Sequence, residues 1–222
     1  MRKHAIVVTL IVAALTLCGS ALAEYKPGTY KAAVQGKKSK KHSGLIEVEV
    51  TLAADKIEDI KVLTYEQSVD NKKYGPGVSQ AKETIPAAII ANQSVNVDNV
   101  AKATFSSNAL QLAVAKILHE ATVAYKPGTY KGTAMGKDSK KHSGVVTVEV
   151  TVAENKIESI NVLEFEQSVD HKKYGPVVTA AKEQIPAGII AGNSLNVDAV
   201  ADATMSSNAL ELAVARALEQ AR

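Results

Sequence analysis

Apolar and polar residues alternate along two neighbouring stretches of the chain, which is typical of β-strands with one buried face. Residues 45–52 alternate branched apolar side chains with Glu and Thr, and residues 57–63 alternate again after a short turn. Residues 25–34 open with a Pro-Gly turn and favour a further strand. The pattern predicts a small antiparallel sheet that includes one hairpin.

The following part of the chain has helical periodicity. Residues 78–91 are rich in Ala and Ile and predict a helix, which Pro86 should start, kink or split. Residues 109–118 predict a second helix, with Ser107 or Asn108 as its N-cap. Its apolar side chains fall on one face, at Leu110, Ala113, Val114 and Ile117. Strands followed by helices predict an α+β fold.

The whole pattern occurs twice, with a period of 100 residues. Residues 25–122 align without a gap on 125–222, and 65 of the 98 positions are identical. A unit of this length can hold its own core, so we predict two tandem domains, residues 24–122 and 124–222. The junction at residues 120–124 has no Gly or Pro linker, and we expect the domains to touch or to have restricted freedom.

The N-terminal residues 1–23 have the pattern of a secretory signal peptide. Arg2 and Lys3 precede an apolar run of about 13 residues, which is short for a membrane-spanning helix of about 20 residues. Small residues ending at Ala23 supply a cleavage site. A retained anchor and a lipidated Cys18 are the alternatives. Export to the periplasm, the cell envelope or the medium is the expectation.

Cleavage changes what the composition implies. The full chain has 26 basic and 23 acidic side chains, and loss of Arg2 and Lys3 leaves a net charge of +1 instead of +3. This balance, with few aromatic residues, argues against nucleic-acid binding. Cys18 is the only cysteine, so the mature chain would have no thiolate ligand. The histidines lack metal-ligand spacing, and no catalytic constellation is evident, so we predict neither a metal site nor catalytic residues.

A polar segment precedes the last predicted helix of each unit, at residues 98–108 and 198–208. Each segment places several hydroxyl groups at a helix N-terminus. Free backbone N–H groups and the positive end of the helix dipole favour an anion there. Simple capping by Ser and Asn is the alternative.

With these segments in view, the chain resembles the FMN-binding domain family, which includes the flavin subunits of the Nqr and Rnf redox complexes and extracellular electron-transfer flavoproteins. The resemblance covers nearly all of both units. It includes the Tyr-x-Pro-Gly-Thr-Tyr opening at residues 25–30, the hairpin at Lys56-Ile57 and the run of residues 85–98. The family motif is Asp-x-x-(Ser/Thr)-Gly-Ala-(Thr/Ser). The resemblance implies that a flavin transferase, using FAD and Mg²⁺, joins FMN to the last hydroxyl by a phosphoester bond.

The motif transfers position by position. Its Asp, its Ala and its flavin-bearing hydroxyl correspond to Asp98, Ala103 and Thr104 in the first copy and to Asp198, Ala203 and Thr204 in the second. The neighbouring hydroxyls of the expected cofactor-binding set are Ser106, Ser107, Ser206 and Ser207. The sequence departs from the motif at Ala101 and Ala201, where the family has Ser or Thr, and at Lys102 and Asp202, where it has Gly. Glycine at such a position permits positive φ, so its loss would hinder modification or alter the loop.

Further residues are candidates for the site. Phe105 and Met205, next to the threonines, would pack on the flavin ring or fill the core. The resemblance also places a loop near the flavin, and its candidates are Glu66, Tyr74, Glu166 and Tyr174. The basic loops at residues 37–42 and 137–142 would contact phosphate, steer an acidic partner or be solvated.

The resemblance implies an exported electron carrier with covalent FMN on Thr104 and Thr204. It would pass electrons between a membrane reductase and a periplasmic or extracellular acceptor, and membrane association is not expected. One alternative is a non-redox binding module of the cell envelope in which flavinylation is lost. Another is an oxidoreductase that uses FMN on a small substrate.

Overall fold

The computed structural model of the protein describes residues 24–222, and the predicted signal peptide lies outside the described residues. Each repeat forms a three-stranded antiparallel sheet followed by two helices, which confirms the α+β prediction. The first repeat consists of β1 (Gly28–Gln35), β2 (Leu45–Leu52), β3 (Ile57–Tyr65), α1 (Gly75–Asn92) and α2 (Thr104–Ala121). The second consists of β4 (Gly128–Met135), β5 (Val145–Ala153), β6 (Lys156–Phe165), α3 (Gly175–Gly192) and α4 (Thr204–Glu219).

The central strand of each sheet carries the alternation that the sequence shows. In β2, Ile46, Val48 and Val50 are completely buried, whereas the Glu and Thr residues between them are partly exposed. The strand pairs with β1 on one side and β3 on the other, both antiparallel. One face of the sheet therefore belongs to the core, and β1–β3 present the other face to solvent.

Helix α1 is longer than the sequence pattern indicates. It begins at Gly75, three residues before the predicted start, with Pro76 in its first turn. Proline is suited to that position because the first amides of a helix have no intrahelical acceptor. Pro86 lies buried inside the helix, which runs unbroken past it to Asn92. Pro86 therefore neither starts nor splits the helix.

Helices α2 and α4 are the most buried elements of the described chain. In α2, residues on every face are buried, including Leu112 at 0% exposure, which lies outside the predicted apolar stripe. A helix that is buried all round has neighbours on all sides. Its neighbours are the sheet of its own repeat, helix α1 and helix α4 of the other repeat.

The prediction of the start of α2 and of its cap was wrong. The helix begins at Thr104, and its N-cap is Ala103, with no capping hydrogen bond from a side chain. Ser107 and Asn108 are buried within the helix instead of preceding it. The Ser107 hydroxyl accepts a hydrogen bond from the Val100 amide at 3.1 Å, so it holds the preceding loop and not the helix end. Helix α4 likewise begins at Thr204, and its N-cap Ala203 has no capping hydrogen bond from a side chain.

The two repeats share one hydrophobic core, in which α2 and α4 pack against each other. The repeats touch, as the short junction predicts. Their contacts are reciprocal: the Asn208 side-chain amide donates to the carbonyl of Gln35 at 2.9 Å, and the Asn108 amide donates to the carbonyl of Met135. Equivalent residues of the two repeats thus bond to each other's sheets, as across a two-fold axis. Within residues 24–222, no helix combines the length and apolarity that a membrane span requires.

Candidate functional site

Each motif threonine is the first residue of the central helix of its repeat. Thr104 and Thr204 begin α2 and α4, and both are partly exposed. The N-caps Ala103 and Ala203 supply no side-chain acceptor for the first-turn amides, and in the second repeat the Ser206 amide donates to the Ala203 carbonyl at 3.0 Å. A helix start without a side-chain cap leaves amides that can bind a ligand. The positive end of the helix dipole lies at the same place, which favours an anionic group next to the threonine hydroxyl.

The loop before each threonine has the backbone conformation for which the family motif uses glycine. Lys102 has φ of 63° and Asp202 has φ of 61°. This left-handed conformation costs a non-glycine residue about 1–2 kcal/mol. The substitutions at the glycine position therefore leave the loop geometry in place, at a cost in stability.

A cavity of about 430 Å³ opens beside Thr104, and one of about 490 Å³ opens beside Thr204. Both lie in the range of about 300–1,000 Å³ that is usual for small-ligand sites. Ala103 and Ser106 line the first cavity, and Ala203 and Ser206 line the second. The residues predicted for the cofactor from the end of the motif are thus brought together in each repeat.

Charged groups around both cavities are mainly cationic. Three lysines, Lys37, Lys102 and Lys137, line the Thr104 cavity together with one carboxylate, that of Asp138. The Thr204 cavity has Lys37, Lys38 and Lys137 with Asp202. Each cavity thus has an excess of two positive charges among these groups, which suits a phosphate-bearing ligand.

The basic loops are solvated, since their lysines are exposed, but hydrogen bonds hold their backbone. The amide of Gly36 donates to the carbonyl of Gly44 at 2.8 Å, which closes the loop at its base. His42 Nε2 lies 2.7 Å from an oxygen of Asp70, and this hydrogen bond lowers the pKa of the Asp70 carboxyl. The second repeat has the same pair, His142 and Asp170. The loops are held over the cavities by these contacts.

The aromatic and sulfur-containing candidates face the cavities. Phe105 and Tyr74 line the Thr104 cavity, and Met205 and Tyr174 line the Thr204 cavity. Phe105 and Met205 are partly exposed, so neither fills the core. The Lys37 ammonium lies 5.7 Å from the centre of the Phe105 ring and 6.0 Å from that of Tyr74. These side chains provide apolar walls on which a planar ring can pack.

Other predicted residues do not line the cavities. Asp98 and Asp198 are exposed and do not line either cavity. Ser107 and Ser207 are buried and accept hydrogen bonds from Val100 and Val200, both at 3.1 Å. They fix the loop that ends at each threonine. Glu66 and Glu166 do not line the cavities either.

Sequence reasoning missed a glutamine in each site. Gln67 is 2% exposed, and its side-chain amide donates to the carbonyl of Gly44 at 2.6 Å. Its oxygen accepts from the Ser106 hydroxyl at 3.0 Å, and Gln167 repeats both bonds with Ser206 and Gly144. The glutamine therefore joins the start of α2 to the basic loop. Its recurrence beside Glu66 and Glu166 was the available signal.

Comparison with known proteins agrees with this geometry. The sequence model of the FMN-binding domain matches the chain twice, at residues 42–119 and 142–219. An uncharacterized protein of Treponema pallidum (strain Nichols) is 37% identical over 98 residues, which are 44% of this chain and 24% of that protein. The match thus spans about a quarter of the relative's length. Because both repeats match and the matches cover most of the sequence, the chain belongs to the FMN-binding domain family, with two tandem copies of the domain.

Proposed function

We propose that this FMN-binding protein carries one FMN on Thr104 and one on Thr204, each through a phosphoester bond, and works as an exported electron carrier. Its electrons would come from a membrane reductase and go to a periplasmic or extracellular acceptor. One observation carries the proposal: in both repeats the motif threonine starts a helix without a side-chain cap, at the mouth of a lysine-lined cavity.

The residues that line the two cavities fit an FMN group. The uncapped helix start and the lysines complement a phosphate, and the cavities of about 430 and 490 Å³ are of cofactor size. In the first repeat Lys102 would neutralise phosphate charge, and the Phe105 and Tyr74 side chains would shield one side of the ring. In the second repeat, the Met205 and Tyr174 side chains would shield one side of the ring. When bound, FMN supplies one- and two-electron transfer.

The attachment chemistry is balanced with FAD as donor. The Thr104 oxygen forms a bond to the phosphorus of the FMN half, and the bond from that phosphorus to the AMP half breaks. AMP leaves, and the hydroxyl proton passes to the transferase or to water. The helix N-terminus stabilises the phosphoester charge that remains beside Thr104.

Two further points support the role of an exported carrier. The N-terminal sequence has the pattern of a secretory signal. A covalent bond would also prevent loss of FMN by dilution outside the cytoplasm.

The test is the intact mass of the protein exported from a host that contains the flavin transferase, together with visible absorbance. We expect a mass increase of two FMN groups. Thr104→Val and Thr204→Val keep the side-chain shape and remove the hydroxyl, so each should lose one group. Thr104→Ser is the matched control, because it keeps a hydroxyl and should keep both groups.

The outcomes separate the alternatives. An unmodified mass of the wild-type protein would refute the covalent attachment. Loss of both groups, or of neither, in Thr104→Val would refute the assignment of one group to each threonine. Native material without flavin absorbance would favour a non-redox binding module of the cell envelope.

A further inference from the structure

The two cavities are not separate compartments, because they share walls. Lys37 of the first repeat and Lys137 of the second each line both cavities. Asp138 of the second repeat also lines the Thr104 cavity, and Gly36 and Lys38 of the first repeat line the Thr204 cavity. Each site is therefore completed by the basic loop of the other repeat.

A narrow cleft at this shared wall has lining residues in common with both sites. It is lined by Phe105, which also lines the Thr104 cavity, and by Met205, which also lines the Thr204 cavity. Lys37 lines the cleft as well. The side chains next to the two threonines thus meet one common space.

Buried hydrogen bonds fix this arrangement. Asn208, one turn into α4, is 5% exposed and donates to the carbonyl of Gln35, at the end of β1. Asn108, one turn into α2, is 2% exposed and donates to the carbonyl of Met135, at the end of β4. Each helix start is therefore tied to the strand from which the other repeat's basic loop leaves. Because a buried polar group without its partner is unfavourable, these bonds hold the loops in place across the interface.

We infer that the two cavities form one bipartite site, in which Lys37 and Lys137 each act on the FMN at both threonines. The inference rests on the proposed function, since it presupposes FMN at Thr104 and Thr204. A cation near a flavin stabilises its more negative, reduced state. Each shared lysine therefore raises the reduction potential of the cofactor on its own repeat and of the cofactor on the opposite repeat.

Single-flavin proteins provide the test. Thr104→Val leaves FMN only at Thr204, and Thr204→Val leaves it only at Thr104. In both backgrounds we expect Lys37→Ala to shift the midpoint potential, measured by spectroelectrochemistry, to a lower value. Lys37→Arg keeps the charge and should leave the potential close to that of the parent.

Lys40→Ala is the matched control, because Lys40 lies in the same loop, is exposed and lines neither cavity. It should shift neither potential. A Lys37→Ala shift confined to the Thr104 cofactor, or no shift at all, would overturn the inference.

A second measurement needs no lysine variant. Cofactors in one bipartite site interact, so the visible circular dichroism of the two-flavin protein should differ from the sum of the two single-flavin spectra. A spectrum equal to that sum would contradict the shared site. Intact mass is measured first on every sample, so an absent FMN counts against the proposed function and an additive spectrum counts against the inference.

Discussion

At the scale of single residues, the site contains a strained loop where the family motif has glycine. Lys102 and Asp202 both hold positive φ, near 60°. Lysine and aspartate bring charge to the cavities at these positions, and glycine would bring only backbone freedom. The loop therefore combines an unfavourable conformation with a ligand-facing charge, as functional sites often do.

Replacing the strained lysine should stabilise the unmodified protein. We expect Lys102→Gly to raise the free energy of unfolding by about 1 kcal/mol, because glycine adopts positive φ without a Cβ clash. Thermal or urea unfolding measures the change. Lys40→Gly is the control: Lys40 is exposed and lacks positive φ, so glycine there should give no gain. Equal effects of the two variants would show that φ of Lys102 is not the cause.

The residues of the site differ in how far sequence could predict them. Thr104 and Thr204 follow from a local motif, and the structure places both at cavities. Gln67 acts through bonds to residues 23 and 39 positions away, and no local pattern encodes such pairs. Lys37 lines both cavities because one repeat packs on the other. Sequence therefore located the attachment points but not the walls around them.

At the scale of elements, alternation predicted the strands well because one face of each sheet is solvated. The start of α2 was mispredicted because the helix begins without a capping side chain, and its serine and asparagine bond the preceding loop and the other repeat. The apolar stripe of α2 was underestimated because α4 covers the remaining face. That neighbour comes from a segment about 100 residues away, beyond the reach of periodicity.

Helix α4 lies close to β4 because the strand offers a glycine at the crossing point. A Cβ on Gly132 would come within 2.0 Å of the carbonyl oxygen of Ala213 and 2.6 Å of the amide nitrogen of Ala217. The corresponding residue of the first repeat is Ala32. The two sheets therefore cannot hold their helices at the same distance.

Adding a side chain at Gly132 should destabilise the protein. We expect Gly132→Ala to lower the free energy of unfolding by about 1–3 kcal/mol, since backbone atoms must move apart. Gly192→Ala is the control, because a Cβ there meets only the Ser194 Cβ at 3.8 Å. Urea denaturation of both variants measures the difference. A Gly132→Ala protein as stable as the control would refute the close approach.

At the scale of the whole molecule, the interface between the repeats contains a buried carboxyl group next to a lysine. Lys116 of α2 lies 2.9 Å from a carboxylate oxygen of Glu211 of α4, and Glu211 is 1% exposed. The equivalent pair across the interface is Gln111 and Arg216, joined at 2.7 Å. Burial raises the pKa of Glu211 to about 7, Asp198 adds to the rise, and Lys116 opposes it.

This carboxyl group makes stability depend on pH. Its pKa is 4.5 without burial and about 7 in the folded protein, so the folded state holds a proton that the unfolded state loses between those values. The free energy of unfolding should therefore fall as pH rises from 4.5 to 7, by up to about 3 kcal/mol. Below this range the stabilising contribution is complete.

Glu211→Gln should remove that slope, since its amide cannot ionise. Chemical denaturation at pH 4.5, 6 and 8 measures the effect. Glu183→Gln, at an exposed position of α3, should retain the wild-type slope. A Glu211→Gln protein with an unchanged pH dependence would show that other groups cause it.

The reciprocal contact of α2 and α4 has a consequence for how the two halves can differ. Two identical polypeptides paired in this way would have two identical sites. Joined in one polypeptide, the halves carry Phe105 against Met205 and Lys102 against Asp202 at equivalent places. The two cavities therefore differ chemically. A molecule that binds at one cavity meets different side chains from a molecule that binds at the other.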